Sequence, residues 1–139
     1  MNLVDSSGWL EYFAAGPNAA FFAAPIEEPS RLVVPTLCLF EVFHSIFEQR
    51  SEGDALQAVA VMQQGTTVDL DSVLALDAAR MAHGRDLPLV SRLLLVTARR
   101  FNATLWTQDA DFEGIRGVRL AVPSGNAPTK AEAPSEKEP

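Results

Sequence analysis

Three acids in this chain sit where structure alone gives them little reason to be. Asp5 closes the apolar run Asn2-Leu3-Val4 and precedes Ser6-Ser7. Asp109 lies just past Leu105-Trp106-Thr107. Glu41 stands inside Leu37-Cys38-Leu39-Phe40-Glu41-Val42-Phe43-His44-Ser45-Ile46-Phe47, apolar on nearly every side. A buried, unpaired carboxylate there would need a cation or a raised pKa. Plainer readings stay open for two of them. Asp5 could cap a helix starting near Ser7, and Glu41 could join His44, Ser45 and Glu48 in a narrow polar stripe facing water.

Brought together, three carboxylates raise one another's pKa. A Mg²⁺ or Mn²⁺ ion reverses this, because such ions take hard oxygen ligands. Ions so held activate water and stabilise the oxygens of an in-line phosphoryl displacement. No short motif links the acids, so the argument rests on where the fold places them.

The elements that would place them are legible from punctuation and periodicity. Asn2–Asp5 reads as a short buried strand, and Gly8–Ala15 as a helix closed by Gly16-Pro17. A second helix covers Ala19–Ala24, and Arg31–Val34 is a strand. Thr36–Arg50 is a helix with Pro35 before it and Thr36 as its cap. Asp54–Gln64 is helical up to Gly65, and Thr66–Leu70 alternates like a strand. Asp71 caps a helix running to His83 and stopped by Gly84. Pro88 opens another that runs to Phe101. Ala103–Thr107 is a strand, Asp109–Phe112 a helical turn and Val118–Val122 a last strand. Short apolar strands alternating with helices predict a three-layer α/β domain, its central parallel sheet flanked by helices. In such sheets ligands bind beyond the carboxyl ends of the strands, where Asp5 and Asp109 fall.

Composition narrows the function classes. With 139 residues there is room for one domain. At 47% hydrophobic and 21% charged, the chain has the profile of a soluble folded protein and not of a disordered one. Residues 1–122 read as the folded body. Residues 123–139, with four prolines and nothing more apolar than alanine, read as a flexible tail. The longest uncharged stretch, Tyr12 to Ile26, is broken by Gly16, Pro17, Asn18 and Pro25, so no membrane span is expected. The amino terminus lacks a secretory pattern, and the single Cys38 fits a reducing cytoplasm. The body carries 9 basic against 15 acidic residues. That argues against coating nucleic acid through a broad basic face, but not against a nuclease whose acids hold metal.

These residues resemble a known family. Asn2-Leu3-Val4-Asp5-Ser6-Ser7 with Trp9-Leu10 looks like the start of a PIN domain, as does Val34-Pro35-Thr36 ahead of a helix carrying Glu41. Thr107-Gln108-Asp109-Ala110-Asp111-Phe112 is similar to that family's carboxy-terminal signature. The likeness is greatest to VapC-type toxins, the ribonuclease halves of bacterial toxin–antitoxin pairs. It implies divalent metal (Mg²⁺ or Mn²⁺), hydrolysis of RNA, a small VapB-like antitoxin partner and a homodimer. It makes Asp5, Glu41 and Asp109 metal ligands and Asp111 an auxiliary acid, with Ser6 and Thr107 holding neighbouring groups by hydrogen bonds.

One expected acid is missing. The family usually has Leu-Pro-Leu-x-Asp at the start of the helix after the third strand. Here the stretch is Leu87-Pro88-Leu89-Val90-Ser91-Arg92. A hydroxyl brings no charge, so metal binding and cleavage are expected to be weakened. Asp86 sits about a turn outside the helix and is no obvious substitute. The rival expectation is a non-catalytic PIN-fold module that binds an antitoxin, and RNA as well, without cutting.

Other features carry less. Arg80, Arg85, Arg92, Arg99 and Arg100 fall within a stretch whose one acid is Asp86. Of these, Arg85, Arg92 and Arg99 are candidates for guiding an RNA backbone; ordinary solvent-facing arginine is the plainer reading. His44 and His83 read as structural, Cys38 as core, and Phe21, Phe22, Phe40, Phe43 and Phe47 as mostly core. There is no Gly-x-x-x-x-Gly-Lys loop and no Gly-x-Ser-x-Gly elbow.

Overall fold

A computed structural model describes residues 1–81 and 86–122. The chain opens with β1 (Asn2–Val4), α1 (Ser6–Phe13) and α2 (Ala19–Ile26), followed by β2 (Leu32–Pro35). Helices α3 (Thr36–Gln49) and α4 (Glu52–Met62) lead to β3 (Thr66–Val68). After α5 (Ser72–Arg80) and α6 (Leu89–Arg100) come β4 (Thr104–Thr107) and β5 (Val118–Leu120). The strands form one parallel sheet in the order β3-β2-β1-β4-β5. The expected α/β architecture is what the chain adopts.

Strand order explains where a ligand could sit. From β1 the chain steps outward to β2 and β3, and later returns to the other side of β1 with β4 and β5. The direction reverses between β1 and β4, leaving a crevice at their carboxyl ends. Since parallel crossovers are right-handed, the reversal also sends helices to both faces of the sheet. The core is correspondingly apolar: Leu3, Val4, Leu32, Val33, Val34 and Leu105 are buried among Trp9, Phe22, Cys38, Val42 and Met62. A smaller cluster of Leu74, Ala78, Leu93 and Val96 joins α5 to α6.

Local chemistry moves several boundaries. Helix α1 starts at Ser6 because the Asp5 side chain accepts from the Gly8 amide, which fixes the start two residues earlier than the apolar pattern indicates. Ser51 does the same for α4 through the Asp54 amide, so that helix begins at Glu52. Thr36 is not a cap: Pro35 holds that position, and no side chain caps α3. Phe22 is fully buried, but Phe40 is 67% and Phe47 47% exposed, contrary to a mostly core assignment. Both lie on the outer side of α3, where Phe40 stacks on His44 and Phe47 on Phe43. His83, Gly84, Arg85 and the stretch 123–139 read as a tail lie outside the described residues.

Asp71 caps α5 as expected, accepting from the Leu74 amide at 2.9 Å and from Arg100 at 3.0 Å. The amide and then the guanidinium hold its carboxyl below the ordinary 3.8. A depressed carboxyl contributes stability above its unfolded pKa, and loses it as pH falls through the folded value. Amide-exchange protection of α5 should therefore fall as pH is taken below about 3.8, and Asp71→Asn should flatten that dependence. Equal acid sensitivity of the two proteins by hydrogen exchange would rule this out.

Candidate active site

The parallel register of β1 with β4 pairs Val4 with Trp106, so the next residue of each strand, Asp5 and Thr107, meets its counterpart at the carboxyl edge. The Asp5 amide donates to the Trp106 carbonyl, extending the ladder to that point. Thr107, fully buried, donates its hydroxyl to Asp5 Oδ2 at 2.5 Å. Its oxygen also accepts from the Asp109 amide at 2.9 Å. One threonine thus ties the first carboxylate to the loop carrying the last, 104 positions on. Asp109 in turn accepts from the Asp111 amide at 2.9 Å, closing a tight turn.

Asp5 is held on its other oxygen too. Oδ1 accepts from the Ser7 hydroxyl and the Gly8 amide, each at 2.8 Å. Asp5 is therefore helix cap and buried acid at once, so the plainer cap reading holds. Burial raises its pKa, the bonds from Thr107, Gly8 and Ser7 oppose that, and the charge of Asp109 adds to the rise. Among the described residues no cationic side chain pairs with its carboxylate.

Glu41 reaches the same edge from α3. It is half-buried and accepts from the Ser6 hydroxyl at 2.5 Å. Its stripe partners behave differently: His44 and Glu48 are exposed, and Ser45 accepts from Gln49. Cys38 lies one turn before Glu41, fully buried. Burial pushes its thiol up to about 12, with a small lowering from Ser6 and smaller raises from Asp5 and Glu41. The thiol is inert core, and both acids border the same small volume around it.

The remaining candidates divide. Ser91 is buried in the first turn of α6. Because α6 runs back along the sheet before β4, that turn lies toward the edge carrying Asp5 and Asp109. Arg92 follows it and is half-buried. Arg99 is in the last turn of the same helix, roughly 12 Å along the axis from Ser91 and away from the carboxylates. Asp111 is exposed, and its shown contact with the cluster is through its amide. Arg85 lies outside the described residues. Two contributors were missed from sequence: Ser7 and Gly8, both donors to Asp5. Their signal was the cap spacing after Asp5, which was used for the helix and not for the site.

The profile of the PIN domain matches residues 3–118. The chain belongs to the PIN-domain family. No curated protein matches it in sequence. Among solved structures, a toxin–antitoxin complex from Klebsiella pneumoniae is similar at 20% identity and a TM-score of 0.73, covering 86% of this chain and 97% of that one. The Mycobacterium tuberculosis toxin VapC20, which cleaves the sarcin–ricin loop, is similar at 16% identity and a TM-score of 0.65 over 81% of this chain and 92% of that one. VapBC from Salmonella typhimurium, bound to DNA, follows at 14% and 0.65 over 87% and 98%. This PIN domain therefore has the fold of VapC toxins.

Does the site fit a divalent cation? The donors are the right kind: carboxylate oxygens, one of them buried beside a second acid. Their spacing is open. Among the described residues no three His, Cys, Asp or Glu side chains stand together so as to hold a metal ion. Among the described residues, too, no helix is long and apolar enough to cross a membrane.

Proposed function

We propose that this PIN domain is the toxin of a VapBC-type pair, a Mg²⁺- or Mn²⁺-dependent endoribonuclease weakened by Ser91. The observation that carries the reading is the Thr107 hydroxyl shared between Asp5 and the Asp109 loop at the strand-order reversal. Asp5, Asp109 and Glu41 would hold the ion, which supplies an activated water and neutralises charge developing on the phosphate. The chain's own part is positioning. Thr107 and Ser7 keep Asp5 deprotonatable yet fixed, and Ser6 fixes Glu41. The Asp111 amide holds the Asp109 carboxylate. Asp111 itself serves as an auxiliary acid at the mouth.

An antitoxin has somewhere to bind. A groove of about 680 Å³ runs between α1, α3 and α4, lined by Leu10, Phe13, Ile46, Ala58 and Val61. Such a groove takes the apolar face of a partner helix, and antitoxin complexes among the structural neighbours point the same way. The chain acts as a homodimer by the same resemblance, in the cytoplasm.

Position 91 supplies the test. At ~4 Å and an effective dielectric near ~20, a unit charge attracts a divalent ion by roughly 8 kcal/mol before desolvation. Discounted heavily, Ser91→Asp should still tighten Mn²⁺ binding by about tenfold or more, read by isothermal titration, and raise metal-dependent RNA cleavage. A second reading, a PIN module that binds antitoxin and RNA without cutting, is favoured by Ser91 itself and by the open carboxylate spacing. It requires no cleavage at high protein concentration and no gain from Ser91→Asp.

A further inference from the structure

The first turn of α6 is rich in hydrogen-bond donors. Pro88 occupies its cap and contributes no side-chain hydrogen bond to its amides. The first bond back to that turn is from the Arg92 amide to the Pro88 carbonyl. The N–H groups of Leu89, Val90 and Ser91 thus point out of the helix start, at the positive end of its dipole.

Two side chains in the same turn are polar and unmatched. Four polar or charged side chains of the described protein are buried: Asp5, Thr97, Thr107 and Ser91. Thr97 donates to the Leu93 carbonyl, while Asp5 and Thr107 bond each other. Ser91, only 7% exposed, has no hydrogen-bond partner among the described residues. The Cα–Cβ bonds of a helix tilt toward its N-terminus, which carries the Ser91 side chain toward the end where the free amides lie. Next to it, Arg92 Nε is buried, also without a partner among the described residues. Leaving the buried Arg92 Nε unmatched costs free energy that a bound acceptor would recover.

We propose that the α6 N-terminus is a phosphate-binding subsite. The Leu89, Val90 and Ser91 amides and the Ser91 hydroxyl take the phosphate oxygens, and Arg92 supplies the cationic charge. The natural occupant is a phosphodiester group of the nucleic-acid substrate, next to the one held at Asp5 and Asp109. In this chain, then, serine replaces a carboxylate that would repel a phosphate with a group that donates to it. Only the identity of the occupant rests on the ribonuclease reading; the donors do not.

The experiment is run on the full chain in EDTA, so that it is independent of metal binding. Inorganic phosphate is titrated against the ¹⁵N-labelled protein while the Leu89 to Arg92 amides are followed. Saturable shifts at these amides are expected in the millimolar range, weakened at least ~10-fold by Ser91→Asp and several-fold by Arg92→Gln. A 2′-O-methyl oligoribonucleotide, which cannot be cut, should displace the phosphate. Absence of saturable shifts, or shifts unaltered in both variants, overturns the subsite. Phosphate binding that the oligonucleotide fails to displace overturns its assignment to the substrate. Loss of phosphate binding in Ser91→Asp together with tighter Mn²⁺ binding supports both readings; phosphate binding lost without any Mn²⁺ gain keeps the subsite and removes the metal site.

Discussion

Asp5→Asn should cut Mn²⁺ affinity by at least ~10²-fold and remove metal-dependent RNA cleavage to a similar degree. The unit charge it deletes is worth roughly 8 kcal/mol to a divalent ion at ~4 Å before desolvation, of which a third suffices for that factor. Asparagine keeps the geometry: it caps helices as well as aspartate does, and its amide can donate to Thr107 where the carboxylate accepted. The same substitution should affect the metal-free fold in the opposite sense. Burial holds the folded pKa of Asp5 above the ordinary 3.8. A raised acid contributes its stability below the unfolded pKa, and that contribution disappears as pH rises through the folded value. At neutral pH, Asp5→Asn relieves that burden, so its metal-free melting temperature should exceed the parent's, with the gap closing near pH 3.8 and below. Unchanged Mn²⁺ binding by calorimetry would remove Asp5 from the site; a lower melting temperature at neutral pH would show that its hydrogen bonds outweigh its buried charge.

Phe22→Ala should destabilise the protein by about 3–5 kcal/mol, a large part of the ~5–15 kcal/mol that holds a typical domain together. Phe22 is 0% exposed and packs edge-on to Phe21 at 5.0 Å between centroids. On its other side is Gly8. A Cβ at Gly8 would come within 2.6 Å of the Phe22 ring and 2.7 Å of Val4, so α1 crosses the ring and β1 at a distance only glycine allows. The ring therefore supports the turn in which the Gly8 amide reaches Asp5. Surrounding helices cannot collapse into so large a void without moving that turn, which is why the cost belongs at the upper end for a core aromatic. Urea denaturation measures it, and a change below about 1 kcal/mol would mean that α2 is not part of the cooperative core.

Much of the architecture was written locally. Gly16-Pro17, Pro35, Gly65, Asp71 and Pro88 mark element ends because proline, glycine and capping side chains act on the backbone within a few residues. Short apolar strands between amphipathic helices then leave few ways to bury both faces of a sheet, and the chain takes the expected one. The misplacements were local as well. The starts of α1 and α4 shifted because Asp5 and Ser51 accept amides outside the apolar periodicity. Residue type alone did not distinguish an outer phenylalanine such as Phe40 from an inner one such as Phe22.

By itself, then, the sequence determined the elements, the parallel sheet and the three acids, two just past strands and one inside a helix. The tertiary structure alone decided that β4 lies beside β1, so that Thr107 meets Asp5 and carries the Asp109 loop to it. It also decided that Ser6 holds Glu41, and that Arg92 lies toward the carboxylate edge while Arg99 of the same helix lies away from it. Those contacts join residues up to 102 positions apart. Their register is fixed by packing of the whole sheet, and no window of a few residues contains the forces that set it.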